Sequence, residues 1–434
     1  MDRNAQALRE AARPLEALFE LIGEAKVVLV GEASHGTHDF YDLRARLTER
    51  LIAERGFTGV AIEGDLPDTA ALHRYVTGAT NGGVDRALEG FRRFPTWMWR
   101  NTVVRGFAER LRARNAELPP ERRAGIFGLD LYSLHQSMEA VVAYLERVDP
   151  PNAAAVRERY ACFDRFGGDP QRYGYATEFS PNQNCRAAVR EALQTIAERM
   201  GSYATRDGVA AADEAFLTEA NARVAADAET YYRTMFAWDE SAWNVRDRHM
   251  DDTLCRVRDH LRATHGDDKV VVWAHNSHLG DARATQMGRG GEVNLGQLAR
   301  ERFGAEVLNI GLFTYDGSVI AADDWGEPHR RMAVNPALPS SYEALFHGLG
   351  GGDMLLDLRD RRTASALGGE RLERAIGVIY RPDTELRSHY FTADLARQFD
   401  LAVHLDRTRA LEPLDSVEPP APDREAPETY PSGV

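Results

Sequence analysis

The sequence predicts an α/β protein: a mainly parallel β-sheet core flanked by helices, with a large helical insertion. Three observations predict it. Short apolar runs rich in Val and Ile recur along the chain. Helical spacing fills most of the gaps between them. One long middle stretch has helical spacing and no strand pattern.

The apolar runs are Val27–Val30, Gly59–Ile62, Gly125–Leu129, Val270–Ala274, Val307–Leu312, Met354–Leu358 and Gly377–Tyr380. Their brevity and lack of alternation fit strands buried on both faces, as in parallel sheets. After the first run, Phe40, Leu43, Leu47 and Leu51 repeat every three or four residues, with Thr37 or Asp39 available at the helix start. Strand, helix and strand within about 35 residues make a βαβ unit. From about Leu134 to His265 the pattern is helical, as in Val189, Leu193, Ile196 and Met200, or along Trp243–Leu261. With 434 residues, one large domain with an insertion or two lobes is expected. Residues 1–133 and 266–412 read as the core and 134–265 as a helical insertion or lid. Residues 413–434, holding six prolines, read as an irregular tail.

Composition narrows the function. Acidic residues outnumber basic ones, 67 to 53, for a net charge of −14, and no basic cluster occurs. Nucleic acid and anionic membrane surfaces are therefore not expected partners. Nothing resembles a signal peptide or a membrane span, so a cytoplasmic protein is expected. Cys162, Cys185 and Cys255 are odd in number and widely spaced, which argues against a disulfide framework or a structural zinc site.

The polar residues fall at strand ends. The first strand runs into GEASHGTHDF, placing Glu32 and His35 at its carboxyl end. GVAIEGD delivers Glu63 and Asp65, GIFGLD ends in Asp130, and KVVVWAHNSH ends in His275 and His278. Ligands of open parallel sheets bind outside the carboxyl ends of the strands, so the repetition means more than any one residue. A histidine can take a proton from water and return it to a leaving group, and a carboxylate can fix its tautomer. Arg44, in the first helix, could stabilise an oxyanion or face solvent.

Each residue also has a plainer reading. His35 could be a loop histidine bonded to backbone, Glu63 a carboxylate tied to an arginine, and Asp130 a helix cap. Arg44 could be an ordinary ion-paired side chain, and His278 could simply flank the site. No P-loop, strand-associated GxGxxG, GxSxG or HExxH is present, and Ser34 is a poor nucleophile candidate. Two histidines with two glutamates could bind a divalent metal by type alone.

The stretch VVLVGEASHGTHDFYDLRARLTERLIAERGFTGVAIEGD resembles the erythromycin esterase family. FPTWMWRN, GLDLYSLHQSMEAVVAYL, WNVRDRHM and VVWAHNSHLGDA resemble its other blocks in the same order, over roughly residues 8–410. The resemblance implies a ChaN-like α/β core with a helical portion closing over the cleft. It implies hydrolysis of an ester or macrolactone, with macrolide resistance in the best-known members, and no metal or cofactor. It assigns His35 as the general base, with Glu32, Glu63, Arg44 and the pair His275 and His278 as the matching site residues. The substrate would be a small-molecule ester. Asp130, Trp97 and Trp99 are candidates for binding it, with Phe94, Tyr173 and Phe179 as further aromatic candidates. Rival readings are a metal-dependent hydrolase of another ester, a non-catalytic iron- or haem-binding protein, and an accessory role in polysaccharide metabolism.

Overall fold

The computed structural model describes residues 14–204, 208–236 and 241–415. In chain order its main elements begin with α1 (Pro14–Ile22), β1 (Val27–Val30), α2 (His38–Arg55), β2 (Gly59–Asp65) and α3 (Leu66–Thr77). Next come β3 (Gly125–Asp130), α4 (Leu134–Val148), α5 (Gly208–Thr234) and α6 (Ala242–His265). The chain continues through β4 (Val270–Trp273), the short helix α7 (Asn276–Leu279), β5 (Val307–Ala321) and β6 (Arg330–Val334). It finishes with β7 (Met354–Asp357), β8 (Arg371–Arg374), β9 (Tyr390–Ala393) and β10 (Leu401–Thr408). Contacts divide the chain into two units. The first comprises residues 1–60, 91–110 and 269–434, and the second comprises residues 61–90 and 111–268.

The first unit is built on a mostly parallel sheet. β1 lies between β4 and β5 and is parallel to both. β10 joins β5 in parallel, and β7 and β6 add antiparallel pairings to β10 and β5. Val27–Val30 and Val270–Trp273 are fully buried, which explains runs with no polar alternation. α2 covers the sheet with Phe40, Leu43, Leu47 and Leu51, all buried. Burying such a side chain stabilises by about 1.5–3 kcal/mol each. The helix ends at Gly56, whose φ of 73° lets its N–H reach the Leu51 carbonyl. Only glycine adopts that left-handed cap without strain.

Four strands lie outside the apolar runs of the sequence: β6, β8, β9 and β10. The Gly377–Tyr380 run is not a strand. Its neighbourhood makes single bridges, Ser34 to Ile376 and Ala322 to Ile379. Tyr380 and the preceding Ile376 are buried in one small cluster with Val319 and Met332. β10 was missed because LAVHLDRT alternates only in part. At the end of the described residues, Leu414 donates its backbone N–H to Arg100, and Asp415 pairs with that arginine's side chain at 2.6 Å. The rest of the expected Pro-rich tail lies outside the described residues.

The second unit holds β2 from Ala61 onward, its neighbour β3, and the helices. Between Leu134 and His265 every described regular element is helical. α5 presents Ala222, Ala225 and Ala228 to a core that includes Val141, Tyr144, Val189 and Ile196. These small residues let helices approach closely. The helix Pro170–Phe179 comes so near α5 that a Cβ on Gly174 would stand 2.0 Å from the Tyr232 carbonyl. Tyr173 is wholly buried there, donating to Glu229 Oε1 at 2.5 Å.

One expectation fails outright. Cys162 and Cys185 form a disulfide, with Cα atoms 5.8 Å apart, leaving Cys255 as the free thiol. The bridge joins the turn Ala161–Phe166 to the start of the helix Arg186–Ala197. Sequence spacing carries no information about that approach, because only helix packing brings the two segments together.

Candidate active site

The loop after β1 is shaped by two glycines. A Cβ on Gly31 would stand 2.0 Å from Asn276 Oδ1, and one on Gly36 would stand 1.8 Å from the Ile320 carbonyl. Neither position tolerates a side chain. The loop is tied down on both sides. Ile320 donates its N–H to the Gly36 carbonyl at 3.0 Å, and His35 donates its N–H to Ile376 at 3.3 Å.

Glu32 and His35 are held by this loop. Glu32 is fully buried and His35 is 5% exposed. His35 Nδ1 lies 2.9 Å from Glu32 Oε1. A carboxylate only accepts, so Nδ1 carries a proton, and in the neutral ring Nε2 keeps its lone pair. The other carboxylate oxygen, Oε2, pairs with Arg44 Nη1 at 2.9 Å. Arg44 is itself fully buried and donates to the Val30 and Ala274 carbonyls at 3.1 and 2.6 Å. One guanidinium therefore clamps the ends of β1 and β4 together and fixes the carboxylate that orients His35.

The loop after β4 supplies the second imidazole. His275 precedes α7, and its Nδ1 accepts from the Ser277 N–H at 3.2 Å and from the Ser277 hydroxyl at 2.8 Å. With Nδ1 accepting, the ring proton sits on Nε2, so this face of His275 is a donor. The two rings lie close, 4.9 Å between centroids. Asn276 locks the two loops together. Its N–H donates to the Glu32 carbonyl at 2.8 Å, and its Nδ2 donates to Leu312 at 2.9 Å. His278 lies three residues on and is buried. Ser34 pairs through its hydroxyl with Thr37.

Trp99 stands 6.0 Å from the Tyr41 ring, and Arg44 lies over that ring at 5.3 Å. Trp97 is 1% exposed, and its carbonyl accepts from Asn101. Phe94 packs edge-on against Trp325.

Glu63 and Asp130 belong to the second unit, where they share a partner that sequence reasoning did not single out. Arg246, on α6, donates to Asp130 Oδ1 and Oδ2 at 3.0 and 2.7 Å and to Glu63 Oε1 at 2.8 Å. Its guanidinium lies 4.8 Å from the Tyr132 ring centroid. Burial alone would depress this guanidinium. The charges of Asp130, Tyr132 and Glu63 outweigh that and hold it well above its ordinary value. Asp130 is not the cap of α4, which starts after Ser133. Tyr173 sits in the helical core and Phe179 is exposed. A single arginine in an amphipathic helix gives no spacing signal. Its place in WNVRDRHM was the one available hint.

A family model described as erythromycin esterase matches residues 52–408, most of the chain. The chain belongs to the erythromycin esterase family. It is therefore a hydrolase. It is 22% identical over 320 residues to erythromycin esterase type II of Escherichia coli, covering 70% of this chain and 72% of that one. Its fold is similar to that of a succinoglycan biosynthesis protein, with a TM-score of 0.74, 20% identity, and 94% and 97% of the two chains covered. It is also similar to a mutant of the erythromycin esterase EreC in its open conformation. There the TM-score is 0.62, identity is 18%, and 92% and 97% of the chains are covered. These structural likenesses show the fold. Among the described residues, no helix is long and apolar enough to cross a membrane.

Proposed function

We propose that this chain cleaves a carboxylic ester, in the form of a macrolactone, with water activated by His35. The observation that carries the proposal is the buried chain Arg44–Glu32–His35, with links of 2.9 Å each. It leaves His35 Nε2 as the proton acceptor. Water gives its proton to Nε2 as its oxygen attacks the carbonyl carbon, and Glu32 stabilises the imidazolium that forms. His275, protonated on Nε2, donates to the developing oxyanion, and the His35 imidazolium returns its proton to the leaving alkoxide. Arg44 has its donors turned to Val30, Ala274 and Glu32. It acts as a positioning residue for Glu32 rather than as an oxyanion donor.

The test is incubation with a macrolide panel and simple esters, followed by mass detection of the gain of one water. His35→Ala is expected to abolish that gain while circular dichroism stays unchanged. A variant with near-full turnover removes His35 from the mechanism. Glu63→Gln is expected to lower kcat more than it raises KM, and an effect confined to KM would assign Glu63 to binding instead.

A further inference from the structure

The second unit contains a cavity of about 1070 Å3 that none of the residues assigned to ester hydrolysis lines. It opens where β3 begins, at Gly125, and Asp130 ends that strand five residues later, about 17 Å away at the rise of an extended chain. α3 contributes His73 and Thr77, α4 contributes Ala140 and Tyr144, and α5 contributes Leu217 and Asn221. Its volume is just above the range for small-molecule sites, about 300–1000 Å3.

Two of its acids are spent on neighbours. Asp213 takes His260 Nε2 at 2.7 Å and His73 Nε2 at 3.3 Å. Burial alone would raise this carboxyl, but the bonds from His260 and His73 outweigh it and hold it below the usual carboxylate range. Glu214 takes Arg74 through two bonds, at 2.5 and 3.0 Å, with Arg147 at 3.8 Å. Two polar groups remain uncommitted. Arg123 donates only to the Leu118 and Thr77 carbonyls, at 3.0 and 2.8 Å, and among the described residues no carboxylate pairs with it. Asn221 is 4% exposed. Its Nδ2 donates to Leu217 at 2.8 Å, which fixes the amide's orientation. Its Oδ1 is buried and has no donor among the described residues. A buried acceptor left without a partner keeps its desolvation penalty, so a donor on a guest would be favoured there. Glu121 also lines the cavity and is exposed to solvent.

We propose that this cavity binds a small amphipathic organic anion. Its anionic head pairs with Arg123, its apolar body lies along Ala140, Tyr144 and Leu217, and a hydroxyl or amide N–H donates to Asn221. The site uses none of the residues assigned to ester hydrolysis, so the two readings stand or fall separately.

The experiment is isothermal titration of the full chain with 3-hydroxydecanoate, with decyltrimethylammonium as the opposite-charge control. Saturable binding of one 3-hydroxydecanoate per chain is expected, with none of the cation. Arg123→Gln is expected to weaken binding at least tenfold, the effect of losing one charge-assisted pair. Ala140→Trp, which fills the cavity from a helix surface, is expected to abolish binding while ester hydrolysis persists. Absence of saturable binding, equal affinity for the cation, or unchanged binding in Ala140→Trp overturns the proposal. The last arm holds even if Arg123→Gln does not fold.

Discussion

Glu32→Gln separates orientation from simple charge. In the wild type, Oε1 accepts from His35 Nδ1 and Oε2 pairs with Arg44, each at 2.9 Å. Glutamine has one acceptor and one donor for these two places. Turning its NH2 toward Arg44 would set donor against donor beside a buried cation. Turning its oxygen toward Arg44 keeps an attractive contact between the amide dipole and the buried cation. The second arrangement wins, and its NH2 then faces His35. Nδ1 must become the acceptor, the ring proton moves to Nε2, and the base is lost. The expected loss in kcat is about 10³- to 10⁴-fold, the size of a wrong-tautomer defect. Arg44 also loses its counter-charge. Breaking a buried pair costs about 3–5 kcal/mol, and the retained contact puts this change near the low end. Thermal melts by circular dichroism should therefore fall by several degrees without loss of the folded baseline. The assay is steady-state hydrolysis of an ester identified by mass gain. A folded Glu32→Gln enzyme with kcat within about tenfold of wild type would refute the tautomer argument.

Gly36→Ala should cut soluble yield and melting temperature sharply. Its Cβ would meet the Ile320 carbonyl at 1.8 Å, and backbone has little room to yield, so a cost of about 3 kcal/mol or more is expected; an unchanged melt would contradict the packing. Stability should also fall as the solution is acidified from pH 6.5. Burial lowers His389 to about 4, and its Nε2 accepts from the Arg381 N–H at 2.9 Å. The folded value lies below the unfolded one, so the unfolded chain takes the proton first, and about 3 kcal/mol present above pH 6.5 is lost towards pH 4. His389→Gln keeps the acceptor but cannot charge, so its melting temperature should drop less between pH 7.5 and 5; equal drops would exclude His389 as the source. Finally, thiol labelling of denatured, unreduced protein should find one reactive cysteine, Cys255, and three after reduction. Three at the outset would mean that the bridge does not form.

Several features were legible in the sequence because they are local. Val27–Val30 and Val270–Trp273 are apolar without alternation since both faces are buried, and that composition needs no knowledge of partners. Glu32 and His35 are three residues apart on one short loop, so their contact follows from the loop. The stripe Phe40, Leu43, Leu47 and Leu51 announces α2 by period alone. Strands β6, β8 and β9 were illegible because, short and partly exposed, they borrow their order from neighbours.

What the sequence determined by itself is the set of residues and their local geometry: strand ends carrying acids and imidazoles, glycines flanking Glu32 and His35, and helices in the middle of the chain. What only tertiary structure decided is who partners whom. Arg44 takes the carbonyls of Val30 and Ala274, which are 244 positions apart in sequence (274 − 30). Arg246 gathers Glu63 and Asp130, and Cys162 finds Cys185. The physical reason is range. Periodicity and capping act over one or two helical turns. Ion pairs and disulfides depend on side chains meeting in space, and distance along the chain does not encode that.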